Sequence, residues 1–414
     1  MKKIILLLTF CVLLSGCSDT KKYAPKEGRL PVFERATPAK SSGTIALDSP
    51  LAVDSWNFTF QNPQNKLPNL ALDLSEEKAW RRTLGKKKEL KRKTLPAPIA
   101  DKDSLYLLDG TYTLTKANLE TGEEVWQKQI APNKTGLSVI TNGTTLFALS
   151  TDGLLTALDA EGNQLWQKDF KVETRAPLIA DKKAVYLLTA HNQIIALKTK
   201  NGAELWRYQT TKPQTWLTTM ASPAKSKDVL VVPFATGEVI GFDADSGLLL
   251  WIQMMVGNRP QDLTEVPQIT AAPVIDGNTV YLTGNANLSG AFDLRTGETK
   301  WTTLFSSPLL PIITKNTLFM ITNQNVLTAL DKRTGKIFWQ KEMATDTDQP
   351  WQALLLVNDE LVLSNGVLLH FVNPQTGEII RTQKKNVFTY PLILNRHLIT
   401  MDQDTKVSYY REEK

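Results

Sequence analysis

The chain has 414 residues, of which 42% are apolar and 22% charged, and its net charge is +6. Apolar content and charge are ordinary for a globular protein, and the mild basic excess does not indicate a nucleic-acid binder, which would need a strongly basic face. The two cysteines, Cys11 and Cys17, both lie at the extreme N-terminus. The sequence therefore predicts neither a disulfide nor a thiol metal site in the folded part.

The first residues have the pattern of a secretory leader. Two lysines precede the apolar run 4–14, which is too short to span a bilayer at about 20 residues. The run ends in Leu14-Ser15-Gly16-Cys17, which resembles the bacterial lipobox. That resemblance implies that residues 1–16 are a lipoprotein signal peptide and that Cys17 carries the lipid. The alternative is an ordinary leader that happens to contain a cysteine.

The lipobox also implies a location. Ser18 follows Cys17, as in the outer-membrane sorting pattern. We therefore expect a protein anchored by lipid in the outer membrane and facing the periplasm. Residues 17–54 are polar, contain several prolines and show no periodicity, which predicts a flexible tether.

The rest of the chain, residues 55–414, is organised around a repeated phrase whose most complete copy is 291–301, AFDLRTGETKW. The Asp closes one strand, Thr-Gly makes a tight turn, and a second strand places its Trp inward. Copies recur about every 40–50 residues, the period of propeller blades. Two more strand-like runs precede each phrase. The sequence predicts an all-β fold, one propeller of four-stranded antiparallel blades.

The tryptophans of the phrase are predicted to dock each blade on the next rather than to form a binding surface. Each can bury about 150–250 Å². They are Trp80, Trp126, Trp166, Trp206, Trp251, Trp301 and Trp339. The seventh copy, 373–377, is followed by Arg381 where the Trp should be. The interface after the seventh blade is therefore expected to be the weakest.

The two ends of the array complement each other. Residues 79–85 have the pattern of an outer strand whose three partners are missing, and residues 390–410 supply three strands with no Trp strand after them. We expect the Trp80 strand to complete the C-terminal blade, which would close the ring and remove two exposed edges. Seven internal blades and one shared blade give an eight-bladed propeller.

No catalytic or metal site is predicted. The sequence has no Gly-x-Ser-x-Gly, His-Glu-x-x-His, P-loop or cysteine-pair motif. The three histidines, His191, His370 and His397, lie in different repeats, whereas zinc needs three or four convergent ligands. The repeated aspartates are interpreted as turn residues. We therefore expect no cofactor and no enzymatic activity.

Two long connections, 207–220 and 252–270, flank the fourth blade and are expected to be neighbours in space. A loop Trp beside Leu, Met and Arg has the composition of a protein-binding hot spot. The predicted partner-binding residues are Trp216, Leu217, Thr218, Arg259, Asp262 and Leu263. The alternative is that these loops fold over the channel mouth as a lid. Trp351, in a third loop, also lies outside the phrase.

A basic run at 86–93, KKKELKRK, follows the predicted closing strand. It is either a solvated loop or a contact for anionic lipid headgroups or an acidic partner.

The phrase resembles the PQQ-type β-propeller repeat over residues 79–410. A lipobox followed by an eight-unit ring of this repeat and nothing else is similar to the BamB-like lipoproteins of the outer-membrane β-barrel assembly machinery. The resemblance implies a non-enzymatic scaffold that binds a periplasmic POTRA domain of the barrel subunit BamA, through loops around the third and fourth blades, and aids insertion of barrel proteins. Other assembly subunits and unfolded outer-membrane proteins are further expected partners.

The loops with Trp216-Leu217 and Arg259–Leu263 occupy the corresponding places. The family's Leu-Arg pair reads Leu217-Thr218 in this chain, and Arg259 is the candidate substitute for the missing arginine.

Two alternatives stay open. A quinoprotein dehydrogenase uses a similar phrase in a longer chain, with a cysteine pair against the quinone and a calcium ion in the channel; the array here contains no cysteine. The other alternative is a lipoprotein propeller that scaffolds or senses a different envelope process.

Overall fold

The computed structural model describes residues 39–73, 78–86, 95–214, 219–255, 268–284, 287–344, 350–385, 387 and 389–411. All regular elements in these residues are β-strands, and they form eight antiparallel sheets. None of the described residues belongs to a helix that could cross a bilayer. The all-β, eight-bladed prediction is confirmed.

The sheets are called blades 1 to 8 in chain order, and their strands A to D from the ring centre outward. Blade 1 comprises Ile99–Asp101, Ser104–Leu108, Thr113–Asn118 and Glu124–Gln129. Blade 2 comprises Gly136–Thr141, Leu146–Ser150, Leu154–Leu158 and Gln164–Asp169. Blade 3 comprises Ile179–Ala180, Ala184–Leu188, Gln193–Lys198 and Glu204–Gln209. Blade 4 comprises Ala224–Ser226, Val229–Pro233, Glu238–Asp243 and Leu249–Met254.

The second half of the ring repeats this order. Blade 5 comprises Val274–Asp276, Thr279–Thr283, Ser289–Asp293 and Thr299–Thr303. Blade 6 comprises Ile312–Ile313, Thr317–Ile321, Val326–Asp331 and Ile337–Glu342. Blade 7 comprises Ala353–Val357, Glu360–Ser364, Leu368–Val372 and Ile379–Lys384. Blade 8 takes strands A to C from Leu392–Leu394, His397–Met401 and Lys406–Tyr410.

Strand D of blade 8 comes from the other end of the chain. Lys78–Thr83 pairs antiparallel with Lys406–Tyr410, and Trp80 lies opposite Tyr409. The two aromatic rings stack with their centroids 5.8 Å apart. The predicted ring closure is therefore confirmed, and it pairs a strand edge that would otherwise be open to solvent.

The turn between strands C and D explains the repeated phrase. In blade 5, Oδ1 of Asp293 accepts hydrogen bonds from the backbone N–H groups of Arg295 and Thr296, both 3.0 Å away. Gly297 then adopts φ +71°, the left-handed region that a glycine enters without steric cost. These hydrogen bonds hold the pKa of Asp293 below its ordinary value, as expected for an ionised turn residue.

Residues 54–73 cross one end of the ring, which the sequence did not predict. Ser55–Trp56 adds a fifth strand to blade 1, inside strand A. The segment then forms backbone hydrogen bonds with the innermost strands, or the turns after them, of blades 2, 4, 5, 7 and 8. The pairs are Asn57–Thr141, Pro63–Lys225, Gln64–Ile275, Leu70–Leu356 and Asp73–Arg396. The side chains of Trp56 and Leu70 in this segment are fully buried. The segment thus covers the end of the channel that carries the A–B turns.

Asn65 ties the crossing segment to two neighbouring blades. Its Nδ2 donates to the carbonyls of Pro223 at 3.0 Å and Pro273 at 3.1 Å, which tie it to blades 4 and 5. The next residue, Lys66, forms an ion pair with Asp276 of blade 5 at 2.8 Å. The side chains of Asn65 and Lys66 are therefore satisfied by blades 4 and 5.

Residues 41–48, which the sequence predicts to belong to the tether, form hydrogen bonds with blade 6. Ser41 N–H donates to the carbonyl of Ile337, and Ala46 and Asp48 donate from their backbones to side chains of blade 6 at 2.8 Å. The sequence did not predict these contacts, because single backbone N–H groups that bond to distant turns leave no periodic pattern in the sequence. Residues 1–38, with Cys17, lie outside the described residues.

Candidate functional site

The predicted partner-binding residues lie outside the described part of the chain. This holds for Trp216, Leu217, Thr218, Arg259, Asp262 and Leu263, and for all of the basic run except Lys86. The residues that flank both loops lie within the described ranges.

The ends of the two long loops meet. The side-chain amide of Gln268, at the end of the second loop, donates to the carbonyl of Thr219, at the end of the first. Met220, next to Thr219, is buried, and so is Met255 at the start of the second loop. The described ends of the two loops are therefore neighbours at the inner side of blades 4 and 5.

Asn192 fixes the start of the first loop. It is fully buried in the B–C turn of blade 3, and its Nδ2 donates to the carbonyl of Thr211 at 2.9 Å and to Thr236 of blade 4 at 3.0 Å. Its Oδ1 accepts from the N–H of Ala235 at 2.9 Å. No local pattern in the sequence singles out this residue, because its hydrogen bonds cross to the next blade.

The outer strand of blade 4 has an unusual composition. In blades 1, 2 and 6 the docking tryptophan is followed by Gln-Lys, whereas in blade 4 Trp251 is followed by Ile252-Gln253-Met254. Leu249, Ile252 and Met254 are 43%, 49% and 51% exposed, and the preceding Leu248 is 68% exposed. Other described outer strands expose at most two large apolar side chains, so blade 4 carries the most apolar edge of the ring.

This edge also offers backbone hydrogen-bonding groups. Among the described residues, Leu249–Met254 pairs only with Glu238–Asp243 on its inner side. An edge strand normally carries charges that discourage pairing with another chain, and the exposed positions listed above carry none. An apolar, unpaired edge is the kind of surface to which an extended partner segment adds a strand.

The docking tryptophans lie in equivalent positions on strand D. Each indole N–H donates to a carbonyl in the C–D turn of the next blade, at 2.8 to 3.2 Å. The pairs are Trp80–Leu119, Trp126–Ala160, Trp166–Thr199, Trp206–Ala244, Trp251–Leu294, Trp301–Lys332 and Trp339–Pro374. They join blade 8 to blade 1 and then each blade to its successor as far as blade 7.

The interface between blades 7 and 8 is built differently. Arg381 donates to both carboxylate oxygens of Glu360 in its own blade, each at 2.6 Å. Its guanidinium lies 3.8 Å from the ring centre of Phe371. Because strand D of blade 8 precedes the other strands in the chain, the described blade 8 has no C–D turn that a tryptophan could bond. The absence of this turn explains why position 381 holds an arginine instead of a docking tryptophan.

Trp351 does not belong to an exposed site. It is 6% exposed, and its ring packs edge-on against His370 at 5.6 Å between centroids. His397 lies against Tyr409 in blade 8, with ring centroids 5.5 Å apart, and burial lowers its pKa. Within the described ranges, no three His, Cys, Asp or Glu side chains converge as metal ligands would.

The chain matches known proteins over the ring. The family model described as outer membrane protein assembly factor BamB matches residues 112–341, which is more than half of the chain. The BamB of Nitrosomonas eutropha is 24% identical over 215 residues, 51% of this chain and 52% of that protein. The BamB of Burkholderia pseudomallei is 28% identical over 217 residues, 51% and 56% respectively. The chain thus spans about half the length of the curated relatives it matches.

Solved structures share the fold. BamB from Moraxella catarrhalis has a TM-score of 0.68 at 18% identity, covering 80% of this chain and 100% of that one. A europium-containing methanol dehydrogenase has a TM-score of 0.66 at 11% identity, covering 86% and 89%. At these identities the structures establish the propeller alone. With the family model matched over most of the ring, the chain belongs to the family of the outer membrane protein assembly factor BamB.

Proposed function

We propose that this protein is a non-enzymatic scaffold of the outer-membrane β-barrel assembly machinery that binds a periplasmic POTRA domain of BamA beside blade 4. The observation that carries the proposal is the exposed apolar outer strand Leu249–Met254 of blade 4, the blade that lies between the two long loops in the chain. Membership of the BamB family indicates which machinery the protein would join. The exposed outer strand indicates how a partner would bind.

The composition of the surface supports a protein partner. Apolar side chains at an interface centre contribute most when charged residues are scarce there, and Ile252 and Met254 have no charged residue between them. The adjacent loop residues Trp216 and Arg259 are of the types that dominate binding energy at such centres. A POTRA domain that presents an extended strand would bond to the blade edge, while the loops contact its sides.

The proposed location is the periplasmic side of the outer membrane. A lipid on Cys17 would attach the N-terminus to the membrane, since the multiply acylated cysteine of lipoproteins provides more than the marginal anchoring of one chain. Cys17→Ala should release the protein from membranes in fractionation. An unchanged membrane fraction would show that the lipobox interpretation is wrong.

The partner surface is tested by co-purification of the full chain with the POTRA region of BamA. The double variants Leu217→Asp/Arg259→Glu and Ile252→Lys/Met254→Lys should each reduce retained BamA at least about tenfold, since one interfacial charge next to apolar contacts costs more than about 1.4 kcal/mol. The matched control is Leu165→Lys on the outer strand of blade 2, where the Leu is 52% exposed.

The control should bind as the unmodified protein does, and all variants should keep its circular dichroism spectrum. Undiminished binding by both double variants would refute the proposed surface. Loss in only the loop variant would restrict the contact to the loops.

A further inference from the structure

The interface between blades 7 and 8 contains a slot that the proposed function does not use. A cavity of about 230 Å³ lies between the two blades. A larger cleft of about 550 Å³ opens beside it toward the outer rim. Gln383 and Lys385 line both spaces, so the cleft and the cavity adjoin at these side chains.

Two rows of paired residues form the walls. On blade 7, Leu355 pairs with Val362, Val362 with Phe371, and Phe371 with Arg381. Leu355, Val362 and Phe371 line the cavity. Neighbouring strands are about 4.8 Å apart, so the wall from strand A to strand C is about 10 Å deep. The wall is aliphatic at strands A and B and aromatic at strand C, and Arg381, next along the row, is paired with Glu360 of its own blade.

The opposite wall, on blade 8, is also a row of paired residues. Ile393 pairs with Leu398, Leu398 with Tyr410, and Tyr410 with Lys78. Ile393 and Leu398 line the cavity, and Tyr410 and Lys78 line the cleft. Both walls are therefore mainly apolar in the interior, where the acid lining the cavity, Asp73, is paired with Arg396, and lysines of both blades line the adjoining cleft.

The rim is strongly cationic. Its charged residues are Lys78, Arg81, Lys384, Lys385, Lys406 and Asp402. Nζ of Lys385 lies 3.9 Å from the centre of the Tyr410 ring. The acid, Asp402, bonds Arg81 at 2.8 Å and accepts the N–H of Lys406 at 3.0 Å. Cations outnumber acids among the described lining residues, which favours an anionic ligand group at the rim.

We propose that the 7–8 interface binds an anionic amphiphile, with a single alkyl chain in the slot and its carboxylate or phosphate head at Lys78, Lys384 and Lys385. A linear alkyl chain matches a narrow wall of three strands, because it buries apolar surface along the whole depth. Charge complementarity with the lysines fixes which end of the ligand remains at the rim. The other interfaces instead bring a tryptophan and a C–D turn together at the corresponding rim position, which explains why the cleft occurs at the interface that lacks both.

The test uses the full chain in nanodiscs of uncharged lipid and a dodecanoate analogue that carries a photoreactive diazirine on its chain. Cross-links mapped by mass spectrometry should fall in 353–372 and 392–410 and should saturate. Unlabelled dodecanoate and dodecyl phosphate should both compete, which shows that either head-group source is accepted. Inorganic phosphate alone and dodecanol should compete at least tenfold less well.

Two variants separate the head from the chain. Lys384→Glu/Lys385→Glu should reduce specific labelling at least tenfold, whereas Lys168→Glu on the outer strand of blade 2 should leave it unchanged. Val362→Phe, which fills the slot, should reduce it similarly; the surface variant keeps the proposal testable if this core change impairs folding.

Several outcomes would overturn the proposal. These are cross-links spread over the ring, equal competition by dodecanol, competition by inorganic phosphate alone, and stronger competition by an acidic apolar peptide than by dodecanoate. The last would identify the interface as a peptide site.

Discussion

The indole N–H of Trp80 donates to the carbonyl of Leu119 at 3.0 Å, although the two residues belong to the last and the first blade of the ring. The ring of Trp80 also packs on Gly122 in the same turn. Trp80 thereby pairs with strand C of blade 8 on one side and docks on blade 1. Trp80 therefore connects the last blade to the first, which closes the ring.

Removal of this indole should destabilise the ring. Trp80→Ala should lower the free energy of unfolding by about 3–5 kcal/mol, the usual cost of truncating a buried aromatic residue. Urea denaturation followed by tryptophan-independent circular dichroism measures the change. Leu304→Ala, at a side chain that is 65% exposed, should change stability by no more than about 0.5 kcal/mol. Equal effects of both variants would contradict a docking role for Trp80.

The turn glycines should be more sensitive where a tryptophan packs on them. Gly297 and Gly277 have φ values of +71° and +60°, so alanine strains the backbone at both by about 1–2 kcal/mol. A β-carbon at Gly297 would lie 2.6 Å from Trp251, whereas one at Gly277 would meet nothing within 4 Å. Gly297→Ala should therefore cost about 1–3 kcal/mol more than Gly277→Ala. Thermal and urea unfolding of the two variants measure this difference in stability.

A tryptophan placed at position 381 should not restore the repeated interface. Arg381→Trp removes the paired hydrogen bonds to Glu360 and meets no C–D turn of blade 8, since strand D of that blade is Lys78–Thr83. We expect the free energy of unfolding to fall by about 1–3 kcal/mol, as when a charged hydrogen-bond partner is lost. A higher melting temperature than the unmodified protein would show that the missing turn is not the reason for the arginine.

Asp276 should make the crossing segment sensitive to acid. Burial opposes ionisation of its carboxyl, but bonds from Lys332 at 2.7 Å and Lys66 at 2.8 Å outweigh burial and lower its pKa below the ordinary 3.8. A lowered folded pKa stabilises the fold above the unfolded pKa, and the stabilisation is lost as the pH falls through the folded value.

Asp276→Asn should therefore cost roughly 1–3 kcal/mol at pH 7, and the cost should shrink as the pH falls below about 4. Unfolding measured across this range gives the difference. The control is Asp245→Asn, whose carboxylate pairs with Lys183 while 64% of its side chain is exposed. Asp245→Asn should change the free energy of unfolding by less than about 1 kcal/mol at every pH in this range. A cost for Asp276→Asn that is independent of pH would exclude the ion-pair explanation.

Much of the fold follows from local pattern in the sequence. Asp293, Gly297 and Trp301 specify a strand, a tight turn and an inward aromatic residue within eleven residues of chain, and the phrase repeats about every 40–50 residues. The number of strands and blades can be predicted from such short-range features, because every blade repeats the same turn and strand residues. Even the ring closure was readable, since the unmatched Trp80 strand needed a partner.

The candidate binding surface was only partly predictable. Loop length directed attention to both sides of blade 4, but Asn192 and Gln268 act through bonds to neighbouring segments, which no sequence window contains. The apolar edge at Ile252 and Met254 became visible only when their exposure was known, because the same residue types in strands B and C are buried.

The sequence by itself determined the repeated blade, the docking tryptophans and the break in the pattern at Arg381. Tertiary structure alone decided where residues 54–73 cross the ring and how the row from Leu355 to Phe371 comes to face the row from Ile393 to Tyr410. The physical reason is distance along the chain: strand periodicity and turn chemistry act over a few residues, whereas a slot between two blades depends on side chains that the closure of the ring brings together.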